Sequence, residues 1–265
     1  MVQCQIFSLQ WQKRGSAWEE LEDAFQCSPT PDSPSGVARG ASIRIAVADG
    51  ATESSYSKEW ARLLVDSYCE SPFRNRRRFS ERAATLGAAW DKYVDGRRPM
   101  PWYADQKARM GAHSTFLGLQ INGGRDATSA GGLFSSVAIG DSCLFHTRDN
   151  LLLRAFPVEE SGSFGNRPAL ISSIQSPASG FPENVKIIKR CEWNPGDVIV
   201  IATDALAAWC FKQLEREQEP WSDLTAVASN QSENHDMGNL IEVLRDSGQM
   251  RNDDTTLTVV FLMGT

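Results

Sequence analysis

The order of helix-like and strand-like segments predicts an α+β fold, with helices packed outside antiparallel sheets. Three observations carry this. Short apolar runs bounded by Gly, Asp and Asn turn signals cluster in the middle of the chain. Helical periodicities come in blocks around them, whereas a doubly wound parallel sheet would alternate helix and strand one for one. The composition, 265 residues with 41% hydrophobic, 23% charged and a mean hydropathy of −0.35, suits a globular chain with a substantial core and excludes disordered, collagenous or repeat-built polymers. No internal repeat is visible, and one domain over residues 1–265 is expected.

Cys27 to Gly40 holds three prolines and two glycines, the composition of a loop joining an early strand to the next. Ile43, Ile45 and Val47 then alternate with smaller or polar residues, a period-2 strand stopped by Gly50, which leaves Asp49 at the strand end. Ser57, Trp60, Ala61, Leu64, Val65 and Tyr68 mark one buried helical face. A second helix carries Phe79, Ala83, Leu86, Trp90 and Tyr93 and ends at Asp95-Gly96, ahead of Pro99 and Pro101. Thr115–Ile121, Gly132–Ile139, Ser142–Thr147 and Leu151–Phe156 read as an antiparallel meander. Val198 to Thr203 is continuously apolar until its last residue, as a strand buried on both faces would be, and it ends on Asp204. Met237, Leu240, Ile241 and Leu244 share a helical face, and Thr255 to Met263 is strongly β-forming.

Several function classes are disfavoured. The longest apolar stretch, Val198 to Phe211, is broken by Asp204 and falls short of the roughly 20 residues of a membrane span. The first ten residues lack a basic start followed by an apolar core, so a cytoplasmic location is expected. Six scattered cysteines without a Cys-x-x-Cys pair argue for reduced core thiols rather than a zinc cluster or disulfide framework. Net charge −6 and pI 5.2 disfavour nucleic acid, and no membrane partner is expected. Against that acidity stands one basic run, Arg74 with Arg76, Arg77 and Arg78, and with Arg82, Arg97 and Arg98 nearby. It reads most simply as a solvated connection between two helices; the other reading is a docking patch for an acidic or phosphorylated partner. Trp193, Trp209 and Trp221 read as core anchors. His113 reads as a strand-entry residue, His146 as structural, and His235 as an exposed helix start.

Acids recur at the ends of apolar strands: Asp23, Asp49, Asp141, Asp204 and the pair Asp253-Asp254. Singly, each is an ordinary cap or turn residue. If several met, their repulsion in a partly dry site would call for proton uptake or a divalent cation, and oxygen ligands without His or Cys point to Mg²⁺, Mn²⁺ or Ca²⁺.

Taken in order, Glu22-Asp23-Ala24-Phe25, Val47-Ala-Asp-Gly50, Gly111-Ala-His-Ser-Thr115, Ala138-Ile-Gly-Asp-Ser142, Ile201-Ala-Thr-Asp204 and Asn252-Asp-Asp-Thr-Thr256 resemble the motifs of the metal-dependent protein phosphatase 2C family, in a bacterial-type branch. The resemblance spans nearly the whole chain. It implies a four-layer αββα sandwich of two antiparallel sheets flanked by helices. It also implies a serine/threonine phosphoprotein phosphatase, active in signalling, that hydrolyses phosphomonoesters with two Mn²⁺ or Mg²⁺ ions and a bridging water. The matching metal positions are Asp23, Asp49, the carbonyl of Gly50, Asp204 and Asp253, with Asp141 for a third ion and Glu22 contacting a metal-bound water. Asp254 is the alternative to Asp253, which is favoured when Thr256 is aligned with the family's Thr or Ser. Phosphorylated proteins and a cognate serine/threonine kinase are the implied partners.

Three positions depart from the pattern. Trp18 stands where many members carry a phosphate-gripping Arg, leaving Lys13 and Arg14 as substitutes, of which Arg14 is the candidate substrate-phosphate residue. Ala51 replaces a His found in animal members, and Ala205 replaces a Gly, which implies either an αR helix start or strain. Trp18 and Ala205 motivate the rival expectation of a catalytically inactive, phosphatase-like regulatory or phosphoprotein-binding module. The stretch from Ser161 to Pro182, rich in Ser, Gly and Pro, is a candidate flap.

Overall fold

The structure is a computed structural model that describes residues 1–32, 35–124, 130–165, 167–174, 181–230 and 235–264. In chain order its strands are β1 (Val2–Trp11), β2 (Ala24–Ser28), β3 (Val37–Gly40), β4 (Ser42–Ala48), β5 (His113–Ser114), β6 (Phe116–Gly123), β7 (Gly132–Ile139), β8 (Cys143–Arg148), β9 (Leu151–Phe156), β10 (Ile171–Ser172), β11 (Lys186–Trp193), β12 (Val198–Ala202) and β13 (Thr255–Leu262). The helices are α1 (Ser57–Glu70), α2 (Arg76–Asp95), α3 (Trp102–Ala108), α4 (Phe181–Asn184), α5 (Asp204–Leu214), α6 (Trp221–Ser229) and α7 (His235–Asp246). A six-stranded sheet runs β3-β1-β13-β12-β8-β9, a five-stranded sheet runs β11-β7-β6-β4-β2, and β10 pairs with β5. Every pairing is antiparallel.

Side-chain alternation divides the apolar residues among three cores. Ile43, Ile45 and Val47 of β4 and Leu117, Leu119 and Ile121 of β6 meet Ile199, Ile201, Val260 and Leu262 between the sheets. The opposite face of the five-stranded sheet packs on Trp60, Leu64 and Tyr68 of α1 and on Phe79 and Trp90 of α2. The opposite face of the six-stranded sheet packs on α5, α6 and α7. The result is the expected four-layer arrangement. Strand β12 serves two cores at once, Ile199 and Ile201 facing one and Val200 and Ala202 the other, which explains its unbroken apolar run. Trp193, Trp209 and Trp221 are buried, and all six cysteines are free thiols. Among the described residues no helix is long and apolar enough to cross a membrane.

Three sequence expectations need correction. The middle strands are not one meander: β6 and β7 pair in the five-stranded sheet, β8 and β9 in the six-stranded one. The chain changes sheet at Gly140, whose φ of +96° makes a turn that a side chain would strain, and this delivers Asp141 to the seam. The proline-rich segment after Cys27 is not loop throughout, since β2 runs to Ser28 and β3 begins at Val37. The arginine run is not merely a connection. Asn75 caps α2, its side chain accepting from the Arg78 amide at 2.9 Å, so Arg76, Arg77 and Arg78 form the first turn of that helix. Strand β1 lies inside its sheet, between the edge strand β3 and β13.

Candidate metal centre

The acids gather where strands of both sheets end at one edge of the sandwich. Asp49 follows β4 and Asp23 precedes β2, both in the five-stranded sheet, while Asp204 follows β12 and Asp253 precedes β13 in the six-stranded sheet. Asp49, Gly50, Thr115, Asp204, Arg251 and Asp253 line a cavity of about 340 Å³. Asp141 lines an adjoining cavity of about 940 Å³; the two share Gly165 and Pro168. The described part of the Ser161–Pro182 stretch thus walls the site, while its residues 166 and 175–180 lie outside the described set.

Local chemistry fixes each acid. The Asp49 carbonyl accepts from the Thr115 amide at 2.9 Å and the Ser114 hydroxyl at 2.8 Å, and the Asp49 amide donates to Thr115 Oγ1 at 3.2 Å. The Ser-Thr pair of the third motif therefore clamps the turn that presents Asp49. Gly50 is required by close approach, since a Cβ there would stand 2.9 Å from the Glu22 carbonyl oxygen and 3.0 Å from Ser57. Asp23 Oδ2 accepts from Thr256 Oγ1 at 2.6 Å and Thr203 Oγ1 at 3.1 Å, which joins the two sheets beneath the cavity. Glu22 accepts from Ser57 Oγ and Thr52 Oγ1, each at 2.5 Å, and from Lys13 Nζ at 3.3 Å.

The neighbours Asp253 and Asp254 have different surroundings. Asp254 accepts from the Lys13 amide at 2.7 Å and the Glu22 amide at 2.8 Å, so its carboxylate pins the β1–β2 connection. Asp253 faces the cavity. Ala205 lies inside α5 and is absent from the residues at positive φ, so the chain takes the αR start without strain.

Arg14 does not reach the cavity. Its guanidinium is ion-paired with Glu242 and with Asp246 of α7, the latter at 2.8 Å, and the expectation that it grips phosphate is corrected accordingly. Lys13 does turn toward the site, through Glu22 and Thr52. Burial works against its charge, but Glu22, Asp254 and Asp253 outweigh that and hold its ammonium above the usual lysine value. The residue that the motif comparison misses is Arg251, whose guanidinium contacts Asp204 Oδ2 and lies 3.5 Å from Asp253 Oδ2. Its signal in the sequence is a lone cation two positions ahead of Asp253.

Histidine chemistry lies elsewhere. His146 is buried with Nε2 2.8 Å from Asp197, on a carboxylate that also takes Arg148. Burial lowers the His113 pKa, and its carbonyl accepts from the Ala51 amide at 2.9 Å. His235 starts α7 as expected, but its side chain lies outside the described set.

The electrostatics are those of a site short of positive charge. Burial, with further help from Asp254 and Asp253 and against the hydroxyls of Thr256 and Thr203, pushes Asp23 up to about 7. Burial and then repulsion from Asp23, Asp253 and Asp141 push Asp49 well above the carboxylate range. Burial raises Asp141 too, despite the opposing charge of Arg251. One oxygen each of Asp23, Asp141 and Asp204 is buried without a hydrogen-bond partner, a cost that a hard divalent cation would remove. The donor set fits such an ion. Among the described residues no three His, Cys, Asp or Glu side chains close on a common point; Arg251 supplies the positive charge between two of the acids.

Residues 22–245 match the sequence profile of the protein phosphatase 2C family. Among curated proteins, no sequence matches the chain. Among solved structures, RsbX in complex with magnesium is 16% identical with a TM-score of 0.54, over 98% of this chain and 96% of RsbX. The catalytic domain of the serine/threonine phosphatase PstP, which is a Mycobacterium tuberculosis protein, with two manganese ions is 14% identical with a TM-score of 0.60, over 99% of this chain and 100% of that one. The phosphatase MsPP from Mycobacterium smegmatis in complex with cacodylate is 17% identical with a TM-score of 0.53, over 98% of both chains. At such identities the likeness shows the shared fold, while the profile match covers most of the chain: the chain belongs to the protein phosphatase 2C family.

Proposed function

We propose that the chain is a divalent-cation-dependent phosphatase acting on phosphoserine or phosphothreonine in proteins. The observation that carries this reading is the convergence of acids from both sheets on one seam, with three buried carboxylate oxygens lacking a donor. Asp23, Asp49, the Gly50 carbonyl, Asp204 and Asp253 would hold two ions, Mn²⁺ or Mg²⁺, and Asp141 a third. Bound there, the ions supply the Lewis acidity that lowers the pKa of a water and offsets phosphoryl charge.

The chain's own residues supply orientation. Ser114 and Thr115 hold the Asp49 turn, and Asp23 is aimed by Thr203 and Thr256. Glu22, steadied by Ser57, Thr52 and Lys13, offers a fixed carboxylate acceptor for a water proton. With Asp204 and Asp253 committed to a cation, the Arg251 guanidinium is released to hold phosphoryl oxygens in a bidentate contact.

The same arginine supports the rival reading, an inactive phosphatase-like module in which Arg251 neutralises the acids permanently. Hydrolysis of p-nitrophenyl phosphate and of phosphopeptides, with and without Mn²⁺ and beside an Asp49→Asn control, separates the two. Mn²⁺-dependent turnover that vanishes in the control supports the phosphatase. Absence of both turnover and Mn²⁺-induced thermal stabilisation moves the conclusion to the module.

A further inference from the structure

A cavity of about 320 Å³ opens on the helix-covered face of the five-stranded sheet, at the end remote from the acids. Strand register explains it. Ser28, Arg44, Gln120 and Ser135 stand opposite one another across β2, β4, β6 and β7, so a polar row crosses a face that is otherwise apolar. Arg44 is five residues before Asp49, which separates the two sites by about 17 Å at roughly 3.3 Å per strand residue.

The rim is basic. Strand β11 is irregular between Ile188 and Cys191, and Arg190 is held at φ +56° with its amide donating to Ser135 Oγ at 3.2 Å. Such an irregularity re-aims side chains, here bringing exposed Lys189 and Arg190 to the rim facing Arg74. A shallower hollow continues from it past Lys189 to Arg76 and Arg77. Arg77 is paired with Glu81 and Arg76 donates to the Val185 carbonyl, but Arg74, Lys189 and Arg190 have no carboxylate within ion-pair distance among the described residues. Three unpaired cations beside one another on a chain of net charge −6 form a local field of the opposite sign.

We propose that this basic pocket docks an Asp/Glu-rich segment of a protein partner. Cations spread over two adjoining hollows match an extended run of carboxylates better than a single anion, and the Ser135 hydroxyl on the floor, which accepts from the Arg190 amide, offers one neutral donor beside them. Nucleic acid fits poorly, because the aromatic lining residues Tyr68 and Phe73 are buried and provide no stacking platform. The site stands apart from the acidic centre, so it does not depend on the phosphatase reading.

The test is fluorescence anisotropy with a short fluorescein-labelled peptide of alternating Asp and Glu, titrated with the full chain. The triple variant Arg74→Ser, Lys189→Ser, Arg190→Ser should bind about tenfold more weakly or worse, and Asp49→Asn should bind as the wild type does. Arg74→Glu alone, at an exposed position, gives the same direction if the triple variant fails to unfold cooperatively. Equal binding by wild type and Arg74→Glu, no binding by the wild type, or tighter binding of oligothymidylate than of the peptide would each overturn the proposal.

Discussion

Replacing Asp23 by Asn should make the cation-free protein more stable than wild type near pH 8 and less stable near pH 4, with the two stability curves crossing at mildly acidic pH. Asp23 is 4% exposed, and its pKa rises from 3.8 to about 7 because burial, then neighbouring acids, outweigh two hydroxyl donors. For an acid shifted upward, the folded chain keeps a proton that the unfolded chain releases. Stability is therefore greatest below the unfolded value and is lost as pH climbs from about 4 to about 7. Three units at about 1.4 kcal/mol each set an upper bound near 4 kcal/mol, shared with the other acids that feel the same charge.

Asparagine removes that pH-dependent loss and keeps one oxygen for Thr203 and Thr256. It also places an NH₂ where the partnerless oxygen now lies, which costs about 1–3 kcal/mol. The net expectation is a gain of about 1–2 kcal/mol near pH 8 and a loss of about 1–2 kcal/mol near pH 4. Urea unfolding in EDTA across that range measures both. A variant less stable than wild type at every pH, or a wild type whose stability does not fall with rising pH, would refute the account of charge crowding.

Arg251→Ala should tighten Mn²⁺ binding by calorimetry about two- to fivefold, the worth of a partly exposed ion pair that no longer competes, and should weaken inhibition by inorganic phosphate. Asp254→Ala should cost about 2–4 kcal/mol in urea unfolding, because two backbone amides of the β1–β2 connection lose their acceptor, and Asp254→Asn should recover part of it. Gly50→Ala should cost about 1–3 kcal/mol and weaken Mn²⁺ binding, since its methyl meets the Glu22 carbonyl and Ser57; unchanged calorimetric affinity would show that the turn relaxes freely.

Periodicity is legible where one face of an element is buried by its neighbours. Hence α1, α2, β4 and the paired middle strands can be read from spacing alone, as can the acids at their ends. Partner choice is not local. Nothing within Gly132–Arg148 states that β7 and β8 join different sheets, and the partner of β1 along its length, β13, lies at the other end of the chain. Strand β1 alternates Val2, Cys4 and Ile6 with glutamines, a period-2 pattern that marks a strand but not its partner. Charged side chains are harder still, because a long cation goes where a distant carboxylate holds it. Arg14 is drawn away by Glu242 and Asp246 of α7, and Arg251 is drawn inward by Asp204. The arginines after Arg74 illustrate the remaining gap: one cap, Asn75, decides whether such residues are linker or helix.

Because each sheet contributes only half of the acids, the centre does not exist until the two sheets have docked. Asp23 and its partner Thr256 are separated by nearly the full chain, so their contact closes a very long loop. If that contact forms after the folding transition state, a cation bound there would slow unfolding and leave refolding unaltered. Saturating Mn²⁺ should therefore lengthen the lifetime of the native state while leaving the refolding limb of the chevron in place, which would make resistance to proteolysis in this chain a readout of the ambient cation supply.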